Sequence, residues 1–286
     1  MTTNTEQSIK LADGRRLAYA EYGDAQGKPI LYCHGNPGSR LDPQMMNQAL
    51  LEKHHARLIA PDRPGMGRSD FLPGRKISDW PADVRALMET LQIERFSVLG
   101  VSGGGPYAEV CALIIPERLT AVGVASGVGP FEAPGATEGM GQGRYYLGAA
   151  RLQPWLAEAF LGMMKSGMKH AKMSEMPGMP AADLAVLADP ETGESMKATT
   201  MESWQGGLKG TAWDATLAAR PWDFQLEEIK MPVHLWQGEC DRNVPAAMAR
   251  YVAKTIPDCR AHFYPEEGHL SLLAHHLEEI LDVLVG

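Results

Sequence analysis

The sequence has few cysteines, no long apolar run and no excess of basic residues. Its 286 residues contain only four cysteines, without a CxxC pair, which excludes a disulfide-stapled fold and predicts reduced, mostly buried thiols. No apolar run reaches the roughly 18 residues that a membrane span needs, so we expect no membrane partner. Acidic side chains outnumber basic ones by 35 to 27. The resulting negative field disfavours nucleic acid as a partner.

Targeting, metal and cofactor signals are also missing. The N-terminal residues are polar and carry neither the basic nor the apolar region of a secretion signal, which predicts a cytoplasmic protein. The sequence has no HExxH motif, no P-loop, no GxGxxG fingerprint and no cysteine and histidine cluster with metal-ligand spacing. We therefore expect no metal and no cofactor. The expected partner is a small-molecule substrate, and the expected assembly is a monomer or a homodimer.

The first 125 residues alternate between strand and helix patterns. A hairpin is predicted first, with strands over 8–11 and 15–22 joined by an Asp13-Gly14 turn. Nearly continuous apolar runs, typical of strands covered on both faces, follow at 29–33, 57–60, 96–99 and 120–125. Helical spacing of apolar residues occurs at 43–53, 80–92 and 106–115. The alternation predicts an α/β fold with a doubly wound, parallel sheet.

The alternation stops after Phe131 and resumes near Met231. The intervening segment has helical patterns over 155–168 and 191–204, and it holds nine of the sixteen methionines. These methionines either fill gaps between small helices or contact a substrate as part of a lid, and both interpretations remain open.

Strand and helix patterns then return, with strands near 231–236 and 261–264 and helices over 245–254 and 270–284. The predicted organisation is a core of residues 1–130 and 221–286 and a helical cap of residues 131–220.

A GxSxG motif runs from Gly100 to Gly104, between a predicted buried strand and a predicted helix. The flanking glycines permit a strained strand-to-helix turn, which exposes the serine hydroxyl at the carboxyl edge of the sheet. The motif predicts that Ser102 is a nucleophile.

A nucleophilic serine needs a general base within hydrogen-bond reach, and that base needs an orienting acid. His269 lies between the last predicted strand and the last predicted helix, so it is the candidate base. Asp241 follows the preceding strand at the same edge and is the candidate acid. Glu239 shares that loop and is the substitute candidate.

An acyl-transfer site also needs backbone amides that hold the oxyanion. Gly103, the residue after the serine, is one candidate donor. The loop after the strand at 29–33 supplies the second, and since Pro37 has no amide hydrogen, Asn36 is the better candidate. We expect His34 to brace this loop by hydrogen bonds.

Together these motifs resemble the α/β-hydrolase superfamily over almost the whole chain. The resemblance rests on an HGxPG-type loop at 34–38, the segment Pro61–Asp70, the GxSxG turn, the Gly-Glu-Cys-Asp run at 238–241 and the Gly268-His269 pair. It implies a serine, aspartate and histidine triad and a core sheet of about eight mostly parallel strands flanked by helices. It also implies a helical cap inserted after the sixth strand.

The resemblance leaves the reaction open, because one fold hosts many reactions. The His34-Gly-Asn-Pro loop is similar to that of haloalkane dehalogenases, which use an aspartate nucleophile where this chain has Ser102. Proline iminopeptidases share the HGxPG loop but usually carry tryptophan where this chain has Gly103. We expect a serine hydrolase that cleaves a small carboxylic ester through an acyl-enzyme. The alternatives are a C–C bond hydrolase or lactonase, a proline-iminopeptidase-like peptidase, a cofactor-free perhydrolase, and a small-ligand receptor with slow turnover.

If the insertion roofs the triad, its large apolar side chains are expected to line the substrate pocket. The candidates are Trp155, Met163, Met164, Trp204 and Trp213.

Overall fold

One eight-stranded sheet organises the protein. The computed structural model describes residues 4–168, 171–176 and 178–286. The strands are β1 Asn4–Lys10, β2 Arg16–Gly23, β3 Lys28–Cys33, β4 Ala56–Pro61, β5 Phe96–Val101, β6 Leu119–Ala125, β7 Val233–Gly238 and β8 Cys259–Tyr264. Their order in the sheet is β1-β2-β4-β3-β5-β6-β7-β8. Pairing is antiparallel for β1 with β2 and β2 with β4, and parallel elsewhere.

Helices cover both faces of this sheet. The described helices are α1 Gln48–Lys53, α2 Trp80–Thr90, α3 Gly105–Ile114, α4 Gly143–Leu152, α5 Pro154–Met168, α6 Ala181–Leu187, α7 Pro190–Ser203, α8 Lys209–Ala219, α9 Ala246–Thr255 and α10 His269–Val285. Of these, α1, α2, α3, α9 and α10 cover the sheet. One hydrophobic core contains side chains of α2, α3 and α9, and the other contains side chains of α1 and α10. The mostly parallel, doubly wound sheet predicted from the sequence is confirmed. Among the described helices, none is long and apolar enough to cross a membrane.

The exposure pattern of each strand follows its place in the sheet. The central strand β5 is buried from Phe96 to Gly100. The edge strands β1 and β8 instead alternate between more and less exposed side chains. A strand covered on both faces must be apolar throughout, whereas an edge strand needs apolar side chains mainly on the face that packs against helices. This difference explains why the central strands are visible in the sequence as short continuous apolar runs.

The chain between β6 and β7 is helical, and its five described helices, α4 to α8, have a hydrophobic core of their own. This core includes Tyr146, Leu161, Trp204 and Ala212. The sequence predicted only α5 and α7 within this segment. It missed α4, α6 and α8. Of these, α6 has only seven residues, and α8 carries almost no one-sided apolar pattern because polar residues such as Asp214 are buried there.

Two further sequence expectations need correction. A single helix was predicted over 43–53, but the structure has a 3₁₀ turn at Asp42–Met45 and α1 begins only at Gln48. Asn47 breaks the helix because its side chain caps α1, accepting from the amides of the second and third helical residues. All four cysteines are free, as expected, but only Cys33 and Cys111 are buried. Cys240 lies in an exposed loop, and Cys259 is half-buried.

An unpaired acid lies on α3, inside the core between the sheet and its helices. Glu109 is fully buried, and neither of its carboxyl oxygens has a hydrogen-bond partner among the described residues. Burial raises the pKa of Glu109 to about 8. The side chain is therefore held in the protonated state at neutral pH, which avoids an isolated charge in an apolar core.

Glu109 should make stability depend on pH. The unfolded carboxyl titrates near 4.5 and the folded one near 8, so the folded state holds the extra proton between these values and the free energy of unfolding falls as pH rises through this window. We expect a loss on the order of a few kcal/mol between pH 5 and 9. Glu109→Gln, which cannot ionise, should flatten this dependence in urea unfolding, whereas Glu138→Gln at an exposed site should not. An unchanged slope in Glu109→Gln would rule out this residue as its source.

Candidate active site

Ser102 lies in a strained turn between β5 and α3. Its backbone has φ of +55°, a left-handed conformation that is rare for residues other than glycine. A Cβ added at Gly104 would lie 1.9 Å from the carbonyl oxygen of Cys33, and one added at Gly100 would lie 2.6 Å from the carbonyl oxygen of Gly104. The two outer positions of the GxSxG motif thus require glycine for lack of space. This geometry is the strained strand-to-helix turn expected from the motif.

Asp241 and His269 form a buried hydrogen-bonded pair at the same edge of the sheet. Asp241 follows β7, and His269 is the first residue of α10. His269 Nδ1 donates to Asp241 Oδ2 at 2.7 Å. The amides of Asn243 and Val244 donate to the other carboxylate oxygen at 2.7 and 2.8 Å, and Gln237 Nε2 donates to Oδ2 at 3.2 Å. These donors fix the position of the carboxylate. The carboxylate in turn fixes the tautomer of the ring, with the hydrogen on Nδ1 and the electron pair on Nε2.

Glu239, the substitute candidate, points away from the histidine. Its carboxylate pairs with Arg250 at the protein surface. Asp241 is therefore the acid that contacts His269, and the loop places the two acids in different environments.

The electrostatic surroundings of His269 favour its charged form. Burial by itself lowers the pKa of this imidazole, but the Asp241 carboxylate outweighs burial, and the net effect raises the pKa above its ordinary value. Asp183 of α6 adds to this effect. Two carboxylates, Asp241 and Asp183, thus stabilise the protonated state of the ring.

The segment after β6 contacts both Ser102 and His269. The Val128 amide donates to the Ser102 carbonyl oxygen at 2.9 Å, and Ser126 Oγ donates to the His269 carbonyl oxygen at 3.5 Å. Within the described residues Ser102 Oγ makes no hydrogen bond to His269. Hydrogen bonds of this kind are often long before substrate binds. The three candidate triad residues therefore share one edge, with the acid and base already paired.

The loop after β3 runs beside the serine. A Cβ added at Gly35 would lie 3.7 Å from Ser102 Oγ, and one added at Gly103 would lie 3.1 Å from the Asn36 nitrogen. The Gly35 amide is already bound to Asp42 Oδ2 at 3.0 Å. The Asn36 nitrogen therefore adjoins Gly103, and the role of these two amides as oxyanion donors stays a prediction.

The side chain of Asn36 is held by the helical insertion. Its Nδ2 donates to the Thr211 carbonyl oxygen and to Asp214 Oδ2, both at 3.0 Å, and its Oδ1 accepts from the Tyr146 hydroxyl at 3.0 Å. Thr211 and Asp214 lie on α8, and Tyr146 lies on α4. All three of these partners belong to the insertion, so the insertion determines where the Asn36 side chain sits.

A buried ionic network connects the same loop to the core. Arg63 donates to both oxygens of Asp214, at 3.1 and 2.7 Å, and to the carbonyl oxygens of His34 and Gly35. Arg75 and the Tyr107 hydroxyl also donate to Asp214. Burial opposes ionisation of Asp214, but the two guanidinium groups hold the pKa of this carboxyl well below its usual range.

His34 braces the loop, as expected from the sequence. Its Nδ1 donates to the Gly35 carbonyl oxygen at 2.9 Å, and its Nε2 accepts from the Arg63 amide at 3.1 Å. Burial and the neighbouring Arg63 guanidinium lower the pKa of His34 well below its ordinary value, so the ring is neutral. A neutral ring with one donor and one acceptor satisfies both of these bonds.

Sequence reasoning missed Asp214 and Arg75, and it saw Arg63 only as part of the Pro61–Asp70 motif. No local pattern marks Asp214 or Arg75, because a charged residue on a helix or loop is normally solvated. Only the Arg63 segment carried a recognisable signal.

The five side chains proposed for the substrate pocket have different surroundings. Trp204 is 1% exposed within the core of the insertion, and Met164 packs against that core. Trp213 is half-buried, and its indole donates to the Arg75 carbonyl oxygen at 2.9 Å. Trp155 and Met163 lie on α5 with 63% and 69% of their surface exposed, because α5 turns Ala157 and Leu161 to the core instead. Packing accounts for Trp204, and a pocket role for these five residues stays a prediction.

Comparisons with known proteins agree with this fold. Residues 30–283 match the model of the alpha/beta hydrolase family, and the chain belongs to that family. The chain is 27% identical to the uncharacterized hydrolase YcgS of Bacillus subtilis, over 96% of this chain and 95% of that protein. It is 36% identical to a non-heme chloroperoxidase of Streptomyces lividans, over 43% of this chain and 45% of that protein. The structure of an alpha/beta hydrolase fold protein from Nakamurella multipartita matches with a TM-score of 0.72 at 20% identity, over 99% of both chains.

Replacing Asp214 should destabilise the protein strongly. Asp214→Asn removes the carboxylate that neutralises two buried guanidinium groups, and breaking a buried ion pair in this way costs about 3–5 kcal/mol in the free energy of unfolding. The exposed pair of Arg85 and Glu117 is the control, since Glu117→Gln should cost less than about 1 kcal/mol. Urea unfolding of both variants at pH 7 measures the difference. Similar losses in the two variants would contradict this account of the network.

Proposed function

We propose that this protein is a serine hydrolase that cleaves small carboxylic esters through an acyl-enzyme. The observation that carries the proposal is the buried Asp241–His269 hydrogen bond beside the strained Ser102 turn. A serine hydroxyl held in such a turn is a weak nucleophile alone, and an oriented neutral imidazole is the base that activates it. Membership of the alpha/beta hydrolase family supports hydrolysis as the reaction class.

In the proposed first step, Ser102 Oγ attacks the ester carbonyl carbon while His269 Nε2 takes the hydroxyl proton. Asp241 keeps Nδ1 protonated, so Nε2 carries the free electron pair. The negative charge of Asp241 stabilises the imidazolium that forms. The raised pKa of His269 is consistent with this second role.

The Gly103 and Asn36 amides are the proposed donors to the oxyanion of the tetrahedral intermediate. The support is that the two backbone segments adjoin, since a Cβ added at Gly103 would lie 3.1 Å from the Asn36 nitrogen. Donors that are fixed before the charge develops stabilise an oxyanion effectively. Collapse of the intermediate breaks the bond to the leaving oxygen, and His269 returns its proton to the departing alcohol. Water then attacks the acyl-enzyme by the same route and releases the acid.

We propose a covering role for residues 131–220 as a helical cap. The support is that this segment contacts the loop after β3 through Tyr146, Thr211 and Asp214 and contacts the start of α10 through Asp183. A covered site excludes bulk water and limits the size of the substrate, which favours small esters over large ones.

Ser102→Ala should abolish covalent labelling and most activity. A fluorophosphonate probe reacts with an activated serine, so wild type should be labelled at Ser102 and the variant should not. We expect kcat for p-nitrophenyl butyrate to fall by about 10⁴-fold or more. Mass spectrometry of the labelled peptide identifies the residue. Labelling that persists in Ser102→Ala would refute the assignment of the nucleophile.

Assays of wild type and Ser102→Ala on a panel of substrates distinguish the reaction types. The panel contains p-nitrophenyl esters of increasing acyl length, a lactone, a vinylogous dioxo-acid, a proline anilide, and peroxide with halide. We expect the highest kcat/KM on short esters, with every activity lost in Ser102→Ala. A higher kcat/KM on another member of the panel would replace the ester by that substrate class, and turnover too slow to measure on all of them would favour a small-ligand receptor.

Asp241→Asn and Glu239→Gln form a matched pair within one loop. Asp241→Asn should keep the fold but leave His269 without an anion on Nδ1, with a loss in kcat on the order of 10⁴-fold. Glu239→Gln breaks only a surface contact with Arg250 and should leave kcat within a few-fold of wild type. Steady-state ester hydrolysis checks the ranking, and the reverse order would transfer the role to Glu239.

A further inference from the structure

The N-terminus of α10 is capped by a residue from a distant part of the chain. Asp183 of α6 accepts from the His269 amide at 2.9 Å with Oδ2, and from the Leu270 and Ser271 amides at 2.9 and 3.0 Å with Oδ1. Gly268, which precedes the helix, has no side chain that could cap it. The carboxylate of Asp183 therefore satisfies three amides that a helix leaves without internal partners.

The contact between Asp183 and α10 is tight and enclosed. Asp183 is 1% exposed. A Cβ added at Gly268 would lie 2.4 Å from Asp183 Oδ1, so the carboxylate occupies the space that a side chain at position 268 would need. The absence of a side chain at Gly268 is thus what admits a carboxylate from α6 to the start of α10.

We propose that Asp183 is a positioning residue for His269, which fixes the backbone of the base and stabilises its imidazolium from within the insertion. The inference rests on the proposed function, since it assigns His269 the role of the base. It extends that function by making the helical insertion part of the machinery that controls the base.

His269 is the first residue of α10. A residue at the first position of a helix faces the positive end of the helix macrodipole, which disfavours a second positive charge there. A buried carboxylate bound to the first three amides offsets that potential. Asp183 thereby lowers the free energy of the charged imidazole, the state that the base must reach when it takes the proton of the serine.

Two carboxylates act on the ring from the elements around it. Asp241 faces it from the loop after β7, and Asp183 faces it from α6; both raise the pKa of His269 against the lowering effect of burial. From the segment after β6, the contact is the uncharged Ser126. Glu267, two residues before the base, is bound instead by His275 and His276.

Both carboxylates stabilise the His269 imidazolium only while α6 contacts α10. Asp241 belongs to the core, but Asp183 belongs to the segment between β6 and β7. Loss of the contact would free three amides, remove one of two stabilising charges and leave the His269–Asp241 pair intact. The insertion can therefore tune the base without touching the triad hydrogen bond.

The test compares Asp183→Asn with Asp189→Asn. Asp189 caps α7 in the same insertion through the Thr192 amide, but it is exposed and caps a different helix. The imidazole of His269 is titrated by NMR in protein labelled with ¹⁵N-histidine. We expect Asp183→Asn to lower the pKa of His269 by about half a unit to one unit and Asp189→Asn to leave it at the wild-type value. An unchanged pKa in Asp183→Asn would overturn the proposal.

Activity provides the second readout. The acid limb of the pH profile of kcat/KM should move to lower pH by the same amount in Asp183→Asn, and kcat should fall about tenfold with little change in KM. If Asp183→Asn does not fold, Asp183→Glu provides the test. This variant keeps the negative charge but moves the carboxylate away from the three amides of α10. We therefore expect kcat to fall by a similar factor while the pKa of His269 stays near the wild-type value. Wild-type kcat in Asp183→Glu would overturn the proposal.

The NMR titration requires no turnover, so the role of Asp183 and the proposed esterase activity are tested independently. A lowered pKa in a protein without esterase activity would support the role of Asp183 in controlling the ring and refute the proposed function. Esterase activity with a pKa that Asp183→Asn leaves unchanged would support the function and refute the role of Asp183.

Discussion

The ion network around Asp214 is the constraint on which the site depends. Arg63 and Arg75 are both buried, and two guanidinium groups inside a protein require an anion in direct contact. That anion comes from α8 of the insertion, whereas Arg63 follows β4 and Arg75 precedes α2. The insertion must therefore pack on the core in the one position that lets Asp214 contact both guanidinium groups. Because Arg63 also binds the carbonyl oxygens of His34 and Gly35, the same contacts fix the loop beside Ser102.

The insertion consequently forms part of the candidate site and contacts it in two places, at Asn36 and at the start of α10. At one end α4 and α8 hold the side chain of Asn36, whose amide is a proposed oxyanion donor. At the other end Asp183 of α6 caps the helix that begins with the proposed base. The core alone supplies the Ser102 turn and the Asp241–His269 pair. The insertion orients the groups that would receive the negative charge and the proton during acyl transfer.

Much of the core could be predicted from the sequence because its signals are local. Short apolar runs marked β3 to β7. The strained turn at Ser102 was visible because positions 100 and 104 have no space for a side chain and therefore require glycine. Local rules failed where a single side chain decided the backbone, as with Asn47, which divides the predicted helix at 43–53. They also failed for α4, α6 and α8. Of these, α6 and α8 bury the acids Asp183 and Asp214, which hides the one-sided apolar pattern typical of a helix.

The sequence by itself determined the α/β alternation, the order of Ser102, Asp241 and His269, and the choice of Asn36 and Gly103 as neighbours of the serine. Each of these depends on residue type within a few positions of a strand end. Only the tertiary structure decided that Asp241 rather than Glu239 contacts the histidine, that Asp214 neutralises Arg63 and Arg75, and that Asp183 caps α10. These contacts join residues 28 to 151 positions apart. An acid in the sequence looks the same whether it faces water or a buried cation, so its role appears only when folding removes the water.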